Sequence, residues 1–129
     1  MRKTAGMFIE LGPVRSAERQ DSILANVAPE PLADLDQVLA YLKAGHGLIA
    51  MMDLQDDVFD GSRQVMNGSS VRTDGEWLWR EDLAYYVERH NVAIPGEFLD
   101  LIRRRGYLVP DLDELTLEEC TVQAEHLMF

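Results

Sequence analysis

The acidic stretch over residues 53–61 carries the side chains best suited to hold a cation. Its four aspartates precede Gly61, and the calcium loop of an EF-hand needs oxygen ligands at fixed positions around a glycine. With Gly61 as the sixth loop position, the third position is Val58 and the twelfth is Asn67, so two of the required ligands are missing. The favoured interpretation is an ordinary acidic loop, and the sequence predicts no metal site.

The histidines show no metal-binding pattern either. His46, His90 and His126 lie far apart, and none has a His, Cys or Asp two to four residues away, as a local metal motif requires. His90 falls on the apolar side of its predicted helix, which is typical of a histidine in or beside a core. No phosphate-binding glycine loop is present, so we also predict no bound cofactor.

Patterns for nucleophilic and acid–base catalysis are equally weak. The serines that follow Gly61 and Gly68 do not form the Gly-x-Ser-x-Gly turn of a hydrolase, and Cys120 lies among acidic residues that disfavour a thiolate. Glu81 and Asp82 form a carboxylate pair of the kind used in acid–base catalysis. Acids at this position are better explained by the start of a helix. The sequence therefore predicts a protein that is not an enzyme.

The negative charge of the chain is concentrated in two segments. The 129 residues carry a formal net charge of −11, of which residues 53–60 supply four acids without a base and residues 111–129 supply six acids without a base. One interpretation is a solvated surface that keeps the protein in solution. The other is a docking surface for a cationic partner. The candidate contact residues in these segments are Asp53, Asp56, Asp57, Asp60, Asp111, Asp113, Glu114, Glu118 and Glu119.

Composition limits the classes of partner and location. With 23 acidic against 12 basic side chains, nucleic acid and anionic lipid are poor partners, because each contact would oppose the overall field. The longest apolar run, residues 48–52, is too short to span a bilayer. The single cysteine excludes an intrachain disulfide, and the first residues lack the apolar run of a signal peptide. We therefore expect a cytoplasmic protein that binds neither nucleic acid nor membrane.

Apolar spacing predicts several helices around a group of short strands. Residues at spacings of three and four predict helices over 32–44, 81–90, 95–105 and 117–127, the last with Leu117, Cys120, Ala124 and Leu127 inward. Short strands are predicted over 48–52, 63–66, 70–73, 76–79 and 107–109, with turns at 67–68 and 73–75. Strands grouped together between helices favour an α+β fold with a small, mostly antiparallel sheet and helices packed on one side.

The first thirty residues give weaker patterns. Residues 7–11 predict a strand that ends at Gly12, and residues 16–25 predict a helix. No repeat or long linker interrupts the chain, so residues 1–129 are expected to form one domain. Within that domain, residues 1–30 are the part expected to be loosely attached.

The aromatic residues in the middle of the chain give more specific expectations. Alternation puts Trp77 and Trp79 on the same face of their strand, and packing in the core is the favoured interpretation. In the helix that follows, Tyr86 lies on the inward side, whereas Tyr85 lies off it. Tyr85 is therefore the aromatic residue expected to be exposed, and it is a candidate anchor for a partner protein.

The block over residues 73–87 reads TDGEWLWREDLAYYV and continues through His90, Pro95 and Phe98. It resembles a block in small uncharacterised bacterial acidic proteins that are grouped with immunity-type proteins, which neutralise a toxin domain. The resemblance covers about a quarter of the chain, and Arg80 stands where those proteins often have proline. The resemblance implies a protein inhibitor and assigns no catalytic residue.

These observations predict a small acidic binding protein of the immunity or inhibitor type, which neutralises a cationic partner such as a toxin domain. Complementary charge speeds such an association. The alternative is a scaffold or regulatory module whose acidic tail helix docks on another subunit or on a second copy of the chain, so a homodimer is compatible with the sequence. A small hydrolase that uses Asp or Glu as a general base is the least favoured interpretation.

Overall fold

The computed structural model describes residues 2–12 and 20–129, and the fold of these residues is α+β, as predicted. The strands are β1 (Lys3–Ala5), β2 (His46–Ile49), β3 (Leu54–Asp56), β4 (Gln64–Met66), β5 (Val71–Thr73) and β6 (Trp77–Arg80). The helices are α1 (Leu35–Lys43), α2 (Asp82–His90), α3 (Gly96–Arg104) and α4 (Glu114–Met128). Short 3₁₀ turns lie at Ile9–Leu11 and Ile23–Asn26.

A four-stranded sheet with the order β1-β6-β5-β2 forms the centre of the fold. β1 pairs with β6 in parallel, and the other two pairings are antiparallel. β3 and β4 form a separate antiparallel ribbon. All four residues of β6 are buried, so other elements must cover both of its faces.

The face of β6 that carries the two tryptophans packs against α1 and α3. Phe98 stacks on Trp77 with ring centroids 4.9 Å apart and contacts Trp79 at 5.2 Å. The indole Nε1–H of Trp79 donates a hydrogen bond to the carbonyl oxygen of Leu42 at 3.1 Å, so the polar group of this buried ring is satisfied. The prediction that both tryptophans share one buried face is confirmed.

The opposite face of β6 packs against α4. Leu78 forms a buried cluster with Ala124 and Leu127, and the hydroxyl oxygen of Thr73 lies 3.7 Å from the sulfur of Cys120. The predicted inward stripe of the last helix is thus confirmed. Because neighbouring residues of a strand point to opposite faces, α4 lies across the sheet from α1 and α3. The helices therefore occupy both sides of the sheet. The sequence predicted helices on one side only.

One of the two predicted turns links the expected strands, β4 and β5, but these strands do not pair with each other. No hairpin forms at 67–68, because β4 pairs with β3, with Leu54 opposite Met66. Asn67 has a left-handed backbone, with φ of 59°, which turns the chain out of the ribbon before β5 begins. The turn at 73–75 does connect β5 and β6, and its Asp74 Oδ1 accepts a hydrogen bond from the backbone N–H of Trp77 at 2.8 Å.

The first strand lies earlier in the chain than the sequence predicts. It covers Lys3–Ala5 and pairs with β6, while residues 7–11 form no strand. Gly6 adopts φ of 75°, a conformation that only glycine adopts freely, and so ends the strand. The predicted strand over 107–109 is also a loop, in which Tyr107 has φ of 63°.

The predicted helix over 16–25 is only partly covered by the structure, because residues 16–19 lie outside the described residues. Its remaining part forms the 3₁₀ turn Ile23–Asn26. Ile23 is fully buried in a cluster with Phe8. The described parts of the first thirty residues are therefore packed into the fold, which differs from the expectation of a loosely attached segment. None of the helices within 2–12 and 20–129 is long and apolar enough to cross a membrane.

We expect the substitution Leu127→Ala to lower the free energy of unfolding by about 2–4 kcal/mol, because it leaves a cavity between α4 and the sheet. Val122 lies on the outer side of the same helix, so Val122→Ala is the matched control and should change that free energy by less than about 0.5 kcal/mol. Urea unfolding followed by circular dichroism measures both. Equal effects would show that the inward stripe does not hold α4 on the sheet.

Candidate protein-binding surfaces

The loop before α4 and the outer side of α4 carry most of the exposed acidic residues predicted for the second segment. Residues 111–113 lead into the helix, and the inward stripe through Cys120 and Ala124 turns the remaining positions outward. Five predicted contact residues are exposed on this surface, namely Asp111, Asp113, Glu114, Glu118 and Glu119. We call this set the α4 acidic surface. All five candidates of the second segment are thus exposed, in the loop before α4 or on the helix itself.

Two members of the α4 acidic surface have partners within the chain. Asp113 is the N-cap of α4, where its Oδ1 accepts a hydrogen bond from the backbone N–H of Thr116 at 2.7 Å. Hydrogen bonding from Thr116, first through its side chain and then through its backbone N–H, holds the pKa of Asp113 below its usual value. Glu119 forms an ion pair with Arg2 at 3.6 Å. Asp111, Glu114 and Glu118 have no ion pair with the residues that the structure describes, so their charge faces solvent.

Exposed apolar side chains lie among these carboxylates. Leu115 and Val122 are 65% and 53% exposed. They line a shallow depression of about 610 Å³, together with Arg2 and Gln123. The sequence prediction missed these apolar residues, because it used the apolar residues of α4 only to place the inward stripe.

The first acidic segment has a different role from the one predicted. Asp57 was expected on the docking surface, but its side chain is fully buried. Its carboxylate accepts hydrogen bonds from the Tyr85 hydroxyl at 2.7 Å and from His90 Nε2 at 2.6 Å, and from the backbone N–H of Phe59 at 2.8 Å. Burial raises the pKa of Asp57, but these hydrogen bonds outweigh it and hold the pKa below its usual value. Asp57 therefore fixes its loop on α2.

Tyr85 is also placed differently from the prediction. Its side chain is half-buried, its hydroxyl is bonded to Asp57, and its ring lies edge-on to Tyr86, with centroids 5.2 Å apart. The guanidinium of Arg89 covers the ring at 5.6 Å. Because its hydroxyl is hydrogen-bonded to the buried Asp57, Tyr85 helps to position the loop that carries Asp57. It is therefore not an exposed anchor for a partner protein.

The other three aspartates of the segment differ in exposure. Asp60 accepts a hydrogen bond from Ser62 Oγ at 2.6 Å and pairs with Arg63 at 3.4 Å. Asp53 Oδ2 accepts a hydrogen bond from Ser69 Oγ at 2.7 Å, while its Oδ1 is buried without a hydrogen-bond partner. Asp56 is exposed on β3. Only Asp56 combines full exposure with the absence of an ion pair among the described residues.

A buried ion pair lies close to Asp53. Arg80 contacts both carboxylate oxygens of Asp82, with the shorter contact at 3.0 Å, and also donates a hydrogen bond to the carbonyl oxygen of Leu11 at 3.0 Å. Burial, with a contribution from the charge of Asp53, raises the pKa of Asp82 to about 6, although Arg80 acts in the opposite direction. This pair joins β6, α2 and the amino-terminal turn, so its role is structural.

The two acidic segments are attached to different elements of the fold. The first segment is held by α2 through Asp57, whereas α4 lies on the sheet beside β2. The two segments share no hydrogen bond or ion pair within 2–12 and 20–129. The sequence leaves open whether the two segments meet. All five predicted contact residues of the second segment are exposed, whereas of those in the first segment only Asp56 is exposed.

The side chains of His90, His46 and Cys120 are buried or hydrogen-bonded within the fold. His90 is bonded to Asp57 and stacks near Phe59, with centroids 4.6 Å apart. His46 Nε2 lies 2.9 Å from the carbonyl oxygen of Pro110, and Cys120 is fully buried. In the described part of the chain, no three His, Cys, Asp or Glu side chains are grouped so as to hold a metal ion.

Comparison with models of known families, with curated proteins and with solved structures found no match to this chain.

We expect Asp57→Asn to lower the free energy of unfolding by about 2 kcal/mol at pH 7, because an amide cannot replace a buried carboxylate that accepts several hydrogen bonds. The folded-state pKa of Asp57 is below its usual value, so the carboxylate stabilises the fold above about pH 4 and this stabilisation is lost as the pH falls further. The difference between wild type and variant should therefore shrink below about pH 4.

Urea unfolding at several pH values between about 3 and 7 measures this difference. The exposed neighbour provides the matched control, since Asp56→Asn should leave stability within about 0.5 kcal/mol of wild type at every pH. A loss of stability for Asp57→Asn that does not change with pH would contradict the assigned role of the carboxylate.

Proposed function

We propose that this chain is a protein-binding protein of the immunity or inhibitor type, which neutralises a cationic protein such as a toxin domain. The observation that carries the proposal is the α4 acidic surface. Asp111, Glu114 and Glu118 are exposed on this surface and have no basic partner in the described chain. The helix that bears most of this surface, α4, contains no lysine or arginine, so apart from the ion pair between Glu119 and Arg2 its negative charge is not cancelled locally.

Charge arranged in this way suits an inhibitor. A negative surface attracts a basic protein over several ångströms and raises the rate of association. Proteins that act on nucleic acids have basic binding surfaces, and an acidic partner can cover such a surface and exclude the substrate. The net charge of −11 adds a long-range attraction to the same class of partner.

The block over residues 73–87 agrees with this proposal through its resemblance to immunity-type proteins, but its side chains serve the fold. Trp79 and Tyr86 are buried in two different clusters, and Tyr85 holds Asp57. We therefore assign partner contact to the α4 acidic surface, with Asp56 as a separate exposed acid, and assign Asp57 and Tyr85 to positioning. The buried thiol of Cys120 suits the proposed cytoplasmic location, where thiols stay reduced.

Self-association is the second candidate, and a different observation favours it. The outer face of the β3–β4 ribbon exposes Met52, Leu54 and Met66, and Leu54 lies directly opposite Met66. An exposed apolar patch of this kind is typical of an interaction site. Light scattering distinguishes the candidates, because a dimer that persists at high salt would favour an apolar contact between copies over an electrostatic inhibitor.

The direct test uses the purified product of the adjacent gene as the partner, with affinity measured by isothermal titration calorimetry at low salt. We expect the double variant Asp111→Lys, Glu118→Lys to weaken binding about tenfold or more, because it reverses charge within the α4 acidic surface. The matched control, Glu30→Lys with Glu88→Lys, makes the same change in net charge at exposed sites elsewhere and should weaken binding far less. Coexpression should also restore growth when the partner is toxic.

Equal losses for the two double variants would contradict a local contact and indicate only a general charge effect. No binding to the neighbouring product, or a neighbouring product without toxicity, would contradict the inhibitor function itself.

A further inference from the structure

The outer side of α4 carries a regular apolar stripe. Leu115, Val122 and Phe129 follow one another at intervals of seven residues, which is about two helical turns. All three are more than half exposed, at 65%, 53% and 54%. They lie on the opposite side of the helix from the inward stripe that contains Ala124 and Leu127.

The packing of the fold does not require this outer stripe. The inward stripe already attaches α4 to β6, and Leu115 and Val122 of the outer stripe line the open depression beside Arg2 and Gln123. Single exposed apolar residues are common on protein surfaces. A row of them along one helix, at the edge of a depression, is typical of a contact surface.

Apart from Arg2, the permanent charges beside the outer stripe are negative. Glu118 and Glu125 lie along one side of it, and neither forms an ion pair with a described residue. On the other side Glu119 is paired with Arg2. The outer stripe is therefore bordered by carboxylates that a cationic partner can still neutralise.

We infer that the outer stripe of α4 binds an amphipathic basic helix of the partner protein. The apolar side chains of that partner helix pack against Leu115 and Val122, and its lysine or arginine side chains form ion pairs with Glu118 and Glu125. This inference rests on the proposed function and specifies the structural element that the cationic partner presents. It describes a helix laid along a helix, one of the recurring modes of peptide recognition.

A helix suits this surface better than an extended strand. The backbone N–H and C=O groups within α4 are used inside the helix, so α4 offers no ladder of hydrogen bonds to an added strand. The seven-residue interval matches the interval at which another helix repeats its apolar side chains. The 15 residues of α4 give a contact length of roughly 22 Å, enough for several turns of a partner helix.

A second copy of this chain does not suit the surface. Two α4 helices packed along their outer stripes would bring Glu118 and Glu125 of one copy against glutamates of the other. Since α4 contains no lysine or arginine, the helix has no permanently charged basic side chain to separate these charges. Like charges across an interface disfavour the pairing, so the partner must supply the basic residues.

The test uses two synthetic peptides of identical leucine, lysine and alanine composition as probes. In the patterned peptide, leucines recur so as to form one helical face flanked by lysines. In the permuted peptide, the same residues form no apolar face.

Fluorescence anisotropy measures the affinities of both peptides for the wild-type protein and for three variants. The variants are Leu115→Gln with Val122→Gln, Glu118→Gln with Glu125→Gln, and the control Met66→Gln on the ribbon. Glutamine is compatible with a helix, and circular dichroism checks the fold of each variant.

We expect the wild-type protein to bind the patterned peptide about tenfold more tightly than the permuted one. The Leu115→Gln, Val122→Gln variant should lose this preference and keep a weaker, salt-sensitive affinity for both peptides. The Glu118→Gln, Glu125→Gln variant should weaken both affinities, and Met66→Gln should change neither. Equal affinities of the wild-type protein for the two peptides would overturn the inference, even if a variant failed to fold.

The same variants separate this inference from the function on which it rests. If the neighbouring gene product binds with the expected charge dependence, but Leu115→Gln with Val122→Gln leaves its affinity unchanged, the inhibitor function stands and the helix-binding stripe is wrong. If that product is not bound at all, the proposed function fails, whatever the peptides show.

Discussion

β6 runs through the centre of the sheet with both faces buried, and the other elements are arranged around this strand. Its tryptophans need a thick apolar layer, which α1 and α3 supply, with Phe98 against both rings. Leu78 needs cover on the other face, and α4 supplies it with small and medium side chains, Ala124 and Leu127. Because one stripe of α4 is committed to this contact, its other side is left facing solvent, and the exposed carboxylates lie along it and in the loop before it.

Acidic residues serve two distinct purposes in this molecule. Asp57 and Asp74 are buried and accept hydrogen bonds that fix turns, so their charges stabilise the loops that shape the fold. Glu114 and Glu118 make no such contacts within the described chain and leave their charge in solvent. Glu114 lies in the first turn of α4, where an acid stabilises the helix. Glu118 lies beyond that turn, and its unpaired charge is available to the basic partner that we propose.

Local patterns in the sequence predict the parts of the fold that depend on neighbouring residues. The alternation of Trp77 and Trp79, the turn at Asp74 and the inward stripe of α4 could all be predicted, since each depends on spacing within a few residues. The pairing of β1 with β6 could not be predicted, because the two strands lie more than seventy residues apart. The ribbon was missed for a related reason, since a short polar strand such as β3 gives no alternation signal.

Some features of the candidate site likewise have a local signal in the sequence, and others depend on distant residues. Asp56 and Asp57 are adjacent and chemically identical, and nothing local shows that one is exposed while the other is buried; the difference comes from Tyr85 and His90, about thirty residues away. The outer stripe of α4 did have a local signal in its seven-residue interval. That signal was masked because α4 has apolar residues on two sides, which weakens the contrast between its faces.

The central claim is that α4 uses one face for folding and the other for binding, and nuclear magnetic resonance tests it most directly. Backbone amide shifts of the isotope-labelled protein would be followed while the patterned basic peptide is added. We expect the largest changes at residues 115–126 of α4, with the amides of Tyr85 and His90 unchanged. Changes centred on residues 53–60 and α2, with α4 unaffected, would contradict the claim.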